Sequence, residues 1–250
     1  DSTDQVLYTA TEDNKTVYYF AGNVTTNWVK FGTFASDGPI RGYYSATIRY
    51  YKEYTTLEEC NSASSYNINC SYAWKKNDPM YWRIIRTNSD ESIRLLYHGA
   101  SSDTTEAYIG TSVFNSSYDD IAYVSYMYGS LGSIANARAN TTDSTIKGVI
   151  DTWYKDNLNT NYGKYLSTTA VYCNDRTYTV SGSYTYFGAR TRLYTNKVPT
   201  YDCTATEDKF TVDTSTGNGK LTYPIALMTA DEISYAGGIY SDYNANAWYL

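Results

Sequence analysis

Two apolar runs on either side of a short polar turn constrain the fold of this chain more than any other feature. Residues 81–86 read YWRIIR and residues 93–97 read IRLLY, with the polar residues 88–91 between them. Both runs are rich in strand-forming side chains, and arginines interrupt them, as expected for central strands with one face packed under a helix. The pattern predicts an antiparallel hairpin at the centre of a sheet.

Two helices are also marked by their sequence. Ser144 is a candidate N-cap, and apolar residues follow it at helical spacing. These residues are Ile146, Val149, Ile150, Trp153 and Leu158. Thr229 and Glu232 stand three residues apart, as in a capping box, and Gly237-Gly238 supplies a stop. We predict an amphipathic helix on the sheet and a shorter helix near the end of the chain.

The remaining strand signals are weaker. Residues 6–8, 16–20 and 28–31 form short strand-like runs separated by Asn, Gly and Thr, which predicts an antiparallel start to the sheet. Residues 37–78 hold one or two strands followed by a loop between two cysteines. We interpret them as an insertion within a single domain that spans residues 1–250.

The chain has four cysteines, Cys60, Cys70, Cys173 and Cys203, and one histidine, His98. No Cys-x-x-Cys pair occurs, so a zinc cluster would need an unusual ligand set. The even count predicts two disulfides, with four reduced thiols as the alternative. Proximity in the sequence favours Cys60 with Cys70 and Cys173 with Cys203, one of three possible pairings.

Composition limits the environment and the partners. The 31 tyrosines, the 18% of charged residues and the many Ser, Thr and Asn residues favour an extracellular, strand-rich protein. The net charge of −6 argues against a nucleic-acid partner. Neither an export signal nor a run of about 18 apolar residues is present, so we expect a membrane anchor or signal only upstream of Asp1.

Residues suited to catalysis are scarce. His98 is the only histidine that could serve as a mobile base, and its position at a strand end is more typical of ordinary surface. Neighbouring carboxylates occur at 58–59, 119–120 and 231–232, but adjacency is not opposition across a cleft, and helix capping explains the last pair. We therefore predict no catalytic residues, and keep a glycan hydrolase only as a minor alternative.

Tyrosine-rich segments are better candidates for ligand binding. Their exposed rings would present aromatic faces to sugars or to a partner protein, while the alternative is that they fill the core. The candidate binding residues are Tyr123, Tyr126, Tyr128, Tyr184 and Tyr186.

Four segments together resemble a family of exported proteins of host-associated bacteria. They are residues 79–86 (PMYWRIIR), 92–97 (SIRLLY), 174–176 (NDR) and 221–233 (LTYPIALMTADEI). That family is similar to the C-type-lectin-like superfamily, which includes the formylglycine-generating enzyme fold, and some members carry a pilin-like membrane segment. The resemblance implies an α+β, C-type-lectin-like fold in which two helices flank antiparallel sheets, with display at the bacterial cell surface.

The sequence departs from this family at its end and in its chemistry. The family has closing strands after the position of Leu250, so we expect the core to be finished differently or the chain to be shortened. The cysteine pair of the related oxidase is missing. Calcium is the one cofactor considered, because lectin-like domains bind it. Asp-x-Asp-x-Asp spacing is absent, however, and the pattern of residues 213–219 predicts a turn as readily as a calcium-binding loop.

These observations give one main functional hypothesis and one alternative. The main hypothesis is a non-enzymatic recognition domain, adhesin-like, that binds a glycan or protein of a host or bacterial surface. The alternative is a structural subunit of a surface filament or pilus, in which the partner is another copy of the chain.

Overall fold

We describe the protein from a computed structural model. The description covers residues 6–22, 24, 26–44, 49–63, 68–102, 107–115, 125–130, 133–181 and 184–238, and it excludes the side chains of residues 49–51, 134, 178–181 and 184–188.

Within these ranges the chain forms short strands and short helices. The strands are β1 (Leu7–Glu12), β2 (Lys15–Phe20), β3 (Trp28–Thr33), β4 (Ile40–Tyr44), β5 (Arg49–Tyr54), β6 (Ile68–Tyr72), β7 (Pro79–Thr87), β8 (Ile93–Gly99), β9 (Met127–Tyr128), β10 (Thr142–Asp143), β11 (Tyr172–Cys173), β12 (Tyr178–Ser181), β13 (Tyr184–Phe187) and β14 (Lys209–Phe210). The helices are α1 (Leu57–Ser62), α2 (Ile134–Ala137), α3 (Thr145–Tyr154), α4 (Thr160–Tyr162), α5 (Gly188–Arg190) and α6 (Ala230–Tyr235).

The central sheet is antiparallel and is built around β7. One edge of β7 pairs with β8, and the other pairs with β3 and, at Arg86, with β2; β1 then extends the sheet beyond β2. The predicted hairpin is confirmed, since Trp82 lies opposite Tyr97 and Arg83 opposite Leu96. The three predicted runs near the start of the chain are confirmed as β1, β2 and β3.

Helix α3 lies on this sheet, as its apolar stripe predicts. The hydroxyl of Ser144 caps it by accepting a hydrogen bond from the Lys147 N–H at 3.2 Å. The helical path continues through a π-turn over Lys155–Asn159 into α4, so that Tyr154 and Leu158 face the same core. The core there consists of Phe34, Trp74, Met80, Trp82, Tyr154 and Leu158.

The last described helix, α6, has both halves of the predicted capping box. The Thr229 hydroxyl accepts from the Glu232 N–H at 3.1 Å, and the Glu232 carboxylate accepts from the Thr229 N–H at 3.0 Å. Reciprocal capping satisfies two backbone donors at the start of the helix.

The predicted insertion contains a second sheet with its own small core. Strands β5, β4 and β6 form a three-stranded antiparallel sheet, and α1 packs against it through Cys60, which lies with Ile40 and Tyr54. A disulfide joins Cys60 to Cys70 in β6, and a second joins Cys173 to Cys203. These are the two pairings that proximity favoured.

Charged hydrogen bonds hold the segment between α4 and α6, where regular structure is sparse. Buried Asp208 accepts hydrogen bonds from Arg138 at 2.7 Å and from Arg176 at 2.8 Å. Arg192 bridges Asp175 at 2.7 Å and Asp231 at 2.6 Å, which ties this segment to α6. Charge-assisted bonds of this length are among the stronger ones in proteins.

The observed class is therefore mixed α/β with antiparallel sheets and two disulfides, in agreement with the coarse α+β prediction. None of the helices in the described ranges combines the length and the apolar character that crossing a lipid bilayer requires.

The two disulfides are expected to differ in their contribution to stability. They close loops with sequence separations of 10 and 30 residues. Loop-closure entropy then gives about 2.7 and about 3.6 kcal/mol at 25 °C. We expect Cys173→Ala with Cys203→Ala to lower the free energy of unfolding by about 1 kcal/mol more than Cys60→Ala with Cys70→Ala, measured by urea denaturation. Equal losses, or a larger loss from the shorter loop, would contradict this prediction.

Candidate functional site

A buried network of four charged side chains lies between the central sheet and α6. Arg86 donates to Glu12 at 2.8 Å and to Glu232 at 3.3 Å, and Arg94 pairs with the same Glu232 oxygen at 3.5 Å. All four residues are between 2% and 5% exposed. Buried charges persist only when they are paired, and here two arginines balance two carboxylates.

Aromatic rings and backbone groups complete the shell around these charges. The guanidinium carbon of Arg94 is 3.9 Å from the centroid of the Tyr172 ring, and that of Arg86 is 4.2 Å from the centroid of the Tyr201 ring. Burial alone raises the pKa of Glu232, but Arg94 and Arg86 outweigh it, so that the pKa lies below its usual value. Glu232 is therefore held ionised. A general acid, by contrast, has a raised pKa that keeps its carboxyl group protonated.

A cavity of about 620 Å³ opens beside this network. Trp82, Leu95 and Tyr97 of the central hairpin line one side of it, and α3 lines another with Ile150 and Trp153. Residues 107–112 and residues 224–228 also line the cavity, as do Arg94 and Glu232 of the buried network. A concave, mainly apolar space of this volume with a few polar groups is typical of ligand sites.

Hydrogen bonds to Asp90 fix one wall of the cavity. Asp90, in the turn between β7 and β8, accepts from the Ser167 hydroxyl at 2.5 Å and from the Thr169 hydroxyl at 2.8 Å. Burial raises the pKa of Asp90, but these bonds and those from Ser92 lower it more, to about 2. The segment that contains Ser167 and Ala170 is thus anchored to the hairpin while its own side chains line the cavity.

The mouth of the cavity is rimmed by exposed apolar side chains. Ile93 is 57% exposed and Val149 is 37% exposed, and both line the cavity, as do the exposed Tyr165 and Leu227. Apolar residues that cluster on a surface around a concavity indicate an interaction site, whereas scattered ones do not. We call Ile93, Val149, Tyr165 and Leu227 the apolar rim.

The tyrosines predicted to bind ligand do not form this site. Tyr126 is 6% exposed and packs edge-on against Phe210 in the core, where its oxygen accepts from the Leu227 N–H. Tyr128 is half-buried in the short β9–β10 pair. Tyr123 lies outside the described residues. Tyr184 and Tyr186 lie in β13, with side chains outside the description.

The candidates for catalysis are also placed differently from the sequence expectation. His98 is buried within β8 rather than on the surface, with its Nε2 hydrogen-bonded to the Ser102 carbonyl oxygen at 3.0 Å. Helix capping explains only part of the interactions of Asp231 and Glu232, because each carboxylate also forms an ion pair with an arginine. Glu59 accepts from the Thr55 N–H beside α1. Residues 119 and 120 lie outside the description.

In the loop considered for calcium, residues 213–219, side-chain oxygens accept hydrogen bonds from backbone N–H groups close in the sequence. Asp213 accepts from the Ser215 N–H at 2.7 Å, and Asn218 accepts from the Lys220 N–H at 3.0 Å, as in turns. Hydrogen bonds from the Ser215 hydroxyl and N–H lower the pKa of Asp213. No group of three or more His, Cys, Asp or Glu side chains suited to a metal ion occurs in the part of the chain that is described.

Comparisons with protein-family models, with curated proteins and with solved structures found no match for this chain. The geometry of the buried network and of the cavity is then the basis for a functional proposal. Sequence reasoning missed both. The one available signal was the pair of arginines within apolar strands, which require buried carboxylates as partners.

Removal of the shared carboxylate tests the network. We expect Glu232→Gln to lower the free energy of unfolding by about 3–5 kcal/mol, because Arg94 is left as an uncompensated buried charge. Glu207→Gln is the matched control: Glu207 is exposed and lies 3.7 Å from Arg138, so its loss should cost less than about 1 kcal/mol. Urea denaturation of both variants gives the comparison, and equal losses would show that the network does not stabilise the fold.

The network also predicts a dependence on pH. Since the pKa of Glu232 is lowered in the folded state, its contribution is complete above its ordinary pKa of 4.5 and is lost as the pH falls through the folded-state pKa. Denaturation at neutral and at acidic pH should therefore show a smaller acid-induced loss of stability in Glu232→Gln than in the wild type. The same loss in both would exclude Glu232 as a source of acid sensitivity.

Proposed function

We propose that this chain is a non-enzymatic recognition domain that holds an apolar part of its ligand in the cavity between β8 and α3. The observation that carries this proposal is the joining of a cavity of about 620 Å³ to the apolar rim. Exposure of four large apolar side chains to water is unfavourable, and a ligand that covers them recovers this free energy.

The ion pair of Arg94 with Glu232, which lines the cavity, favours an uncharged ligand group. The charge of Arg94 is already balanced by Glu232, and Arg86 is balanced by Glu12 and Glu232. A ligand carboxylate would add a net negative charge to a balanced, buried set, which is costly in a low-dielectric environment. Of the partner classes predicted from the sequence, apolar side chains of a protein suit this cavity better than a glycan does.

The fold family and the cellular location of this domain are proposed from less specific observations. The antiparallel sheet under a helix is compatible with the C-type-lectin-like architecture that the sequence resembles. Disulfides form and persist mainly in oxidising compartments, which supports display outside the cell. The filament subunit stays a prediction, as does the absence of enzymatic activity.

A neutral fluorescent probe tests the cavity directly. We expect Nile red to bind the wild type with enhanced emission, and Val149→Asp to weaken that binding at least about tenfold, because it places a charge on the apolar rim. Val198→Asp is the matched control, since Val198 is 60% exposed and does not line the cavity. Fluorescence titration of the three proteins measures the difference.

Two results would contradict the proposed site. One is the absence of a saturable signal with the wild type. The other is an equal effect of both substitutions, which would indicate binding to the surface in general. Thermal unfolding of each variant establishes that the titrations compare folded proteins.

A further inference from the structure

We propose that the face of the sheet opposite α3 carries a second binding site, for an acidic saccharide, formed by Trp28 and Lys30 of β3 and by Tyr81 and Arg83 of β7. We call these four residues the aromatic–cation face. The site lies on the other side of the sheet from the cavity and goes beyond the proposed function, so that either proposal can fail without the other.

Strand register places the four side chains in one block. Lys30 lies opposite Tyr81, and Trp28 lies opposite Arg83, so that each strand contributes one aromatic and one cationic side chain to the same face. The intervening Trp82 points the other way, into the core under α3. The block is thus fixed by two paired strands of the sheet rather than by a loop.

The aromatic rings form a shallow surface that solvent reaches. The ring centroids of Trp28 and Tyr81 are 5.5 Å apart, with the ring planes tilted by 53°. Trp28 is 37% exposed, and the Lys30 Nζ lies 5.1 Å from the centroid of the Tyr81 ring. The C–H bonds on one face of a pyranose ring pack well on such aromatic rings, whose faces carry partial negative charge.

The two cations have no acidic partner among the described residues. Arg83 donates from Nη1 to the amide oxygen of Asn27 at 2.9 Å, and the Asn27 amide group is itself fixed by the Ile84 carbonyl oxygen at 3.0 Å. Partial burial lowers the pKa of Arg83, with no nearby carboxylate to offset it. In a chain of net charge −6, two cations left without acidic partners beside the exposed ring of Trp28 and the half-buried ring of Tyr81 complement an anion.

These features favour an acidic saccharide over other anionic ligands. A carboxylate on the sugar ring would bind the guanidinium of Arg83 and the ammonium of Lys30, while the ring packs on Trp28. A nucleic acid would require a longer row of cations. A peptide that added to the edge of β3 left unpaired among the described strands would bind through backbone hydrogen bonds and not through these four side chains, which project from the face of the sheet.

Calorimetric titration with trigalacturonic acid tests the proposal, with its methyl ester as the uncharged counterpart of the same backbone. We expect weak binding of the acid, with Kd values from tens of micromolar to about 1 mM, and at least tenfold weaker binding of the ester. Raising the salt concentration should weaken binding of the acid, because Lys30 is exposed and Arg83 is only partly buried.

Variants identify the surface. We expect Trp28→Ala to weaken binding about tenfold or more, and Lys30→Gln and Arg83→Gln to weaken it about threefold to tenfold each. Tyr194→Ala and Lys164→Gln are the matched controls, because both alter exposed side chains of other cation–aromatic pairs and should leave binding unchanged. Lys30 is exposed, so its variant tests the site even if Arg83→Gln disturbs the fold.

Several outcomes would overturn this inference. They are no detectable binding of the acid, equal binding of acid and ester, equal losses in the control variants, or equally tight binding of a short polyglutamate peptide, which would indicate an acidic-peptide site. Nile red binding by Lys30→Gln should remain at the wild-type level, which separates this site from the cavity.

Discussion

The interaction between Glu232 and two arginines of the central hairpin is the constraint on which the rest of the structure depends. Through Arg86, the network joins the first strand, the central strands and the last described helix. Glu12 of the first strand and Glu232 of the helix are more than two hundred residues apart in the sequence. A buried ion pair adds little net stability compared with apolar packing, but a chain that contains buried arginines has few alternative ways to satisfy them. The network therefore selects one arrangement of α6 against the sheet.

The cavity follows from this arrangement. Glu232 fixes the start of α6, and the segment 224–228 that leads into it then forms one wall, while α3 is held on the sheet by Tyr154 and Leu158. Hydrogen bonds to Asp90 fix the wall that contains Ser167, and the packing of Trp82 in the core fixes the wall formed by the hairpin. The cavity is therefore bounded by anchored residues on several sides. A cavity lined by residues from separately anchored elements is a suitable place for a ligand, because little reorganisation is needed on binding.

Local features of the fold could be predicted from the sequence, and long-range ones could not. The hairpin, the Ser144 cap and the Thr229–Glu232 capping box each depend on residues within a few positions of one another. The partners of Arg94 depend on a contact with Glu232, which no local pattern specifies. Two aromatic residues illustrate the same limit: the burial of Tyr126 depends on packing against Phe210, which is distant in the sequence, and the face on which Trp28 lies depends on the pairing of β3 with β7.

The small sheet of β4, β5 and β6 has a consequence for how the molecule opens. It has its own core around Cys60, its own cross-link, and no strand pairing with the central sheet within the described ranges. A unit of this kind can unfold and refold while the charged network stays intact, so its amide hydrogens should exchange with solvent through sub-global openings of lower free energy than those of β7 and β8. Opening of this region would leave the strand pairing of the central sheet unbroken.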